Sequence, residues 1–153
     1  MKKFLMVILA ALMLLGVCAC GSKTVDLDTQ ALADDLQKNL TFDAPLQATS
    51  AEELGYYFEI PQDTEICGYM SNGATAEEIV VACCADASAA QTLKDNISAY
   101  LQDQTAEMEK YMPEEVARLD GALLECSGNC VVLCVASDTQ AASAIVDNYV
   151  VEG

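Results

Sequence analysis

"VVACCADASAAQTLKDNI" (Val80–Ile97) and "VVLCVASDTQAASAIVDNY" (Val131–Tyr149) are two versions of one pattern. Each opens on a short apolar run and passes through Ala and Asp into a stretch with helical spacing. Val-Val, Cys, Ala, Asp, Ala-Ala and Asp-Asn coincide once one residue is inserted in the second copy. The pattern reads as a strand feeding a helix, with Asp86 placed to cap the first of them. In that helix Ala90, Leu93, Ile97, Tyr100, Leu101 and Met108 form an apolar stripe, and Pro113 ends it. Thr139–Tyr149 is the closing helix.

A further strand precedes each copy. Thr64–Ser71 is the first, Asn72-Gly73 a tight turn, and Glu77–Ala85 the second strand. Thr75 and Glu78 also have capping-box spacing, which leaves a helix as the competing reading there. Gly121–Cys126 and Cys130–Ala136 flank Ser127-Gly128-Asn129 as a second hairpin. The order is therefore ββα, ββα. One hairpin cannot bury its apolar face alone, but two can form one sheet. The expected fold is α+β: a four-stranded antiparallel sheet from two ββα units, with both helices on one face. One or two N-terminal helices precede it. Leu32, Leu36 and Leu40 mark Asp28–Leu40, and Ser50 with Glu53 forms a capping box for a short second helix. "TFDAPLQATS" (Thr41–Ser50) reads as the loop between them.

The chain starts with Lys2 and Lys3, then fourteen mostly apolar residues, Phe4–Val17. This is the layout of a secretory signal peptide, and it is short for a membrane span. Cys20 follows Val17 and Ala19 and precedes Gly21-Ser22, a site that resembles a bacterial lipobox. Residues 1–19 are expected to leave as a lipoprotein signal peptide, taking Cys18 with them. Cys20 is expected to be lipidated, residues 20–25 to form a short tether, and residues 26–153 to form a single domain. Several acyl chains on Cys20 hold such a protein at the membrane, each buried CH2 contributing about 0.8 kcal/mol. Residues 20–153 carry five basic side chains against 24 acidic ones, a balance of −19. Nucleic acid and anionic headgroups need basic patches and are excluded as partners.

"LADDLQKNLTFDAPL", "GYMSNGATAEEIVV" and "YLQDQTAEMEKYMPEEVARLDGALLECSGNCVVLCVASD" together resemble a family of lipoproteins from low-GC Gram-positive bacteria, known as domain of unknown function 4358. The resemblance spans about Asp26 to Tyr149. It implies a location and a domain organisation but no activity, and the cysteines are not expected as family features.

Six cysteines remain after Cys20: Cys67, Cys83, Cys84, Cys126, Cys130 and Cys134. Buried free thiols are the plain reading. Cys126 and Cys130 flank the second hairpin loop, and a disulfide between them is the alternative. No metal site and no cofactor are expected, since the chain has no His and only Cys126 and Cys130 approach zinc spacing. Without His there is no Ser-His or Cys-His dyad, and the protein is not expected to be an enzyme. The carboxylate pairs Asp34-Asp35, Glu52-Glu53, Glu77-Glu78 and Glu114-Glu115 read chiefly as solvated helix faces or first turns. One polar loop stands out as a candidate ligand loop: Ser71, Asn72, Gly73, Thr75, Glu77 and Glu78, where Gly and small residues allow close approach to the backbone. Tyr56, Tyr57, Phe58 and Tyr69 are the main aromatic cluster, read as core ahead of a sugar platform.

The functional expectation is a lipid-anchored, non-catalytic binding or interaction module on the outer face of the cytoplasmic membrane. Its partners are the membrane through the lipid, and another envelope protein or a small cationic ligand. Two rivals remain: a thiol redox or metal protein using Cys83, Cys126 and Cys130, and a carboxylate-based envelope hydrolase.

Overall fold

The computed structural model describes residues 24–150. The expected signal peptide and Cys20 lie outside the described residues. The first helix, α1 (Thr29–Asn39), starts where the Asp28 carboxylate accepts the Ala31 N–H at 2.9 Å. Strand β1 (Leu46–Thr49) follows. Helix α2 (Ala51–Leu54) carries the full Ser50–Glu53 capping box. Then come β2 (Glu65–Ser71), β3 (Glu78–Cys83) and the long α3 (Ala87–Tyr111), capped by Asp86. A 3-10 turn (Pro113–Glu115) leads into α4 (Val116–Asp120). Strands β4 (Leu123–Ser127) and β5 (Cys130–Val135) and helix α5 (Thr139–Tyr149) complete the fold.

The sheet is antiparallel throughout and runs β1-β2-β3-β5-β4. It has five strands where four were expected. The additional strand is β1, within the stretch read as a loop, and it pairs Leu46 with Ser71 through Thr49 with Gly68. Only its ends are half-buried, so it carries no alternating pattern. Its main-chain pairing with β2 makes it a strand, and side-chain burial contributes little.

The helices lie on both faces of the sheet, where one face was expected. Helices α1 and α5 cover Ile79, Val81, Val132 and Cys134. Helices α2, α3 and α4 cover Val80, Ala82, Val131, Leu133 and Val135. The residue inserted in the second repeat accounts for the difference. Each strand reaches its helix cap through two linking residues, Cys84-Ala85 and Ala136-Ser137. The last strand residue, however, faces α1 in β3 (Cys83) and α3 in β5 (Val135). Side chains alternate with period two, so one extra residue sends the following helix to the opposite face.

The alternative Cys126–Cys130 disulfide is not formed, and the plain reading of free thiols does not hold for Cys83 and Cys130. The hairpin loop is the two-residue Gly128-Asn129, with Gly128 at φ +57, so Ser127 faces Cys130 and Cys126 faces Val131. Cys130 instead bonds Cys83, its register partner on β3. Cys67, Cys84, Cys126 and Cys134 are free thiols.

Candidate functional site

The connection from β2 to β3 is longer than the expected Asn72-Gly73 turn, running through six residues from Asn72 to Glu77. Gly73 sits at φ +86, which favours glycine. The Ser71 hydroxyl donates to the Thr75 carbonyl, and the Ser71 N–H donates to the Glu77 carbonyl at 3.1 Å. The chain then enters β3, so the competing helical reading from Thr75 is not realised.

Glu77 and Glu78 lie against different groups. The Glu77 side chain is buried and accepts the Asp43 N–H at 2.9 Å, the Ala44 N–H at 3.0 Å and the Thr75 hydroxyl at 2.9 Å. It ties the loop before β1 to the loop before β3. Arg118 on α4 lies beside it, 3.8 Å from the Glu77 carboxylate, and pairs with Asp43 and Glu115. Glu115 in turn accepts the Ala76 N–H at 2.9 Å. Three carboxylates and one guanidinium thus fasten the candidate loop to the rest of the fold. Glu115, expected as a solvated first-turn acid, is buried. Its i,i+3 spacing to Arg118 was the available signal.

Glu78 is the first residue of β3, between Met70 on β2 and Val135 on β5. The residue is 2 % exposed. One oxygen accepts the Tyr100 hydroxyl of α3 at 3.1 Å. The other, Oε1, is the one buried side-chain nitrogen or oxygen without a partner among the described residues. Burial pushes the Glu78 carboxyl up to about 8, against a smaller opposing effect of the Tyr100 hydrogen bond. It therefore holds its proton at neutral pH. Burial and the neighbouring Glu78 raise the Tyr100 hydroxyl in turn.

Glu78 and Tyr100 line a cleft of about 180 Å³. Ser71, Gly73, Thr75 and Glu77 also line it, whereas Asn72 is exposed and does not. The structure thus brings five of the six candidate loop residues to one cleft. In the sequence Tyr100 stands out only as part of an apolar stripe, because a buried tyrosine and a buried leucine occupy the same helical position. Tyr57 lines the cleft as well, its ring edge-on to Tyr100 with centroids 5.8 Å apart.

No cysteine lines this cleft. Burial pushes the Cys134 thiol up to about 12 and raises those of Cys67 and Cys126. Among the described residues, no group of three or more His, Cys, Asp or Glu side chains is placed to hold a metal ion.

An α+β domain with one five-stranded antiparallel sheet, and a cleft closed by the β2–β3 loop, is the class of protein these residues define. The chain belongs to the family described as a domain of unknown function, DUF4358, whose model matches residues 38–136. It matches no curated protein and no solved structure.

Proposed function

We propose that the protein is a lipid-anchored binding module on the outer face of the cytoplasmic membrane of a Gram-positive-type bacterium, without catalysis of its own. The observation that carries the binding role is Glu78: a buried carboxyl with a free oxygen, lining a cleft under a tethered polar loop. Leaving such an oxygen unpaired costs about 1–3 kcal/mol, a cost that a ligand hydrogen bond would remove. The Cys83–Cys130 disulfide supports an extracytoplasmic setting, because such bonds persist in oxidising compartments. The absence of His and the raised thiols support a non-catalytic role.

Glu78 also favours the hydrolase as a second reading, since a carboxyl protonated near neutral pH is suited to general acid work. Glycoside hydrolysis pairs two carboxylates, and here the neighbouring Glu77 is occupied by Asp43, Ala44 and Thr75. That leaves binding as the preferred reading.

Two experiments test the proposal. Palmitate labelling in the host is expected to place the wild type and Cys18→Ala in the membrane fraction and to leave Cys20→Ala unlabelled; label on Cys20→Ala would reject the anchor. Amide-shift mapping of the domain against mixtures of small envelope metabolites is expected to move Ser71–Glu78 with no turnover. Turnover lost in Glu78→Gln would replace binding with catalysis.

A further inference from the structure

The binding reading leaves the ligand's chemistry open, and the lining of the cleft narrows it. Beside the loop residues already named, the cleft is lined by Glu78, whose buried Oε1 is unpaired, by Tyr57 and Tyr100, by the thioether residues Met70 and Met108, and by Gln104. No lysine or arginine lines the cleft. Hard inorganic cations take six or more oxygens, and the second carboxylate of the cleft, Glu77, is already engaged by the Asp43 and Ala44 N–H groups and the Thr75 hydroxyl, so the lining does not supply them. A carboxyl beside aromatic rings instead matches an organic cation, which gains from both. The volume of about 180 Å³ leaves room for a small ligand only.

Resting on the binding reading above, we propose that the Glu78 cleft takes a small organic ammonium group, which donates an N–H to Glu78 Oε1 and lies against the Tyr57 and Tyr100 rings. Binding moves one proton: the Glu78 carboxyl releases it to solvent, and the resulting carboxylate pairs with the ammonium. The titratable groups around Glu78 are Tyr100 of α3, Tyr57 after α2 and Cys134 of β5. Glu77, Glu115 and Arg118 form the neighbouring cluster. The guanidinium there is shared among three carboxylates, so it does not oppose an incoming cation. The acidic chain as a whole, −17 by formal charge, raises the local concentration of cations.

Calorimetric titration of the full domain with n-propylammonium and with neutral propionamide tests the proposal. The ammonium is expected to bind at least about tenfold more tightly at about pH 8.5 than at about pH 6.5, because the carboxylate form grows across that range. At about pH 7 the binding heat is expected to depend on the buffer, which takes up the released proton. Propionamide is expected to show no such gain with pH. Glu78→Gln, checked for folding by its β3 amide shifts, is expected to lose the ammonium response. Tyr57→Leu, at a half-exposed position that tolerates change, is expected to weaken ammonium binding several-fold. Equal ammonium affinity in Glu78→Gln, or in Tyr57→Leu, would overturn the assigned contact. Propionamide moving the Ser71–Glu78 amides while propylammonium does not would overturn the ammonium class and leave the binding module standing. Silence to both probes and to the metabolite mixtures would remove both readings together.

Discussion

Adjacent side chains at the start of β3 diverge, so Glu77 and Glu78 meet different surroundings. Glu77 is satisfied by backbone N–H groups, and Glu78 keeps a free oxygen. Glu78 makes stability depend on pH. Its folded value is raised from 4.5 to about 8, so between those pH values the native state holds a proton that the unfolded chain has lost. Its contribution is full below about pH 4.5, declines as pH rises to about 8, and is flat above. The shift corresponds to a change on the order of 5 kcal/mol across that window. Urea midpoints measured across this range are expected to fall in the wild type and to change far less in Glu78→Gln; equal slopes would reject the assignment. Glu77→Ala strands the Asp43 and Ala44 N–H groups and is expected to cost about 3 kcal/mol, with faster hydrogen exchange at those two amides. Glu77→Gln, which keeps one acceptor oxygen, is expected to cost less. The sequence marked Glu77 and Glu78 as a pair, but their contrast depends on which neighbours each side chain meets.

Strands and helices show where local pattern ends. The Leu32-Leu36 stripe, the Ser50–Glu53 box and the Asp86 cap were legible because capping and periodicity are local. β1 was not legible, since its partner β2 lies across a chain segment that includes α2. The cysteine pairing was not legible for a related reason. Spacing favoured neighbours across a hairpin, whereas the actual bond joins β3 to β5 across 47 positions. A link of that span removes about 4 kcal/mol of unfolded-chain entropy in the loop-closure model. The double variant Cys83→Ala/Cys130→Ala is therefore expected to melt well below the wild type, and Cys126→Ser close to it. A wild type indifferent to reductant would show that the bond does not form.

The whole molecule needs more chain than the family model matches. Residues 38–136 contain the sheet and the α3 side, but nearly all of α1 and the whole of α5 fall outside. Ile79, Val81, Val132 and Cys134 would then lose the cover of Leu32, Leu36, Ala142 and Val146. A fragment of residues 38–136 is expected to lack a cooperative thermal transition, which circular dichroism would read; a sharp melt would show that one covered face suffices. The sequence by itself determined the order of most elements, their caps and the polar loop, because these rest on near neighbours and on side-chain period. Tertiary structure decided the fifth strand, the faces taken by the helices and the Cys83–Cys130 bond. It also decided the meeting of Glu78 with Tyr100, 22 residues away on α3. Each of these turns on register or on contact across the sheet, and a shift of one residue there reverses which face a side chain joins.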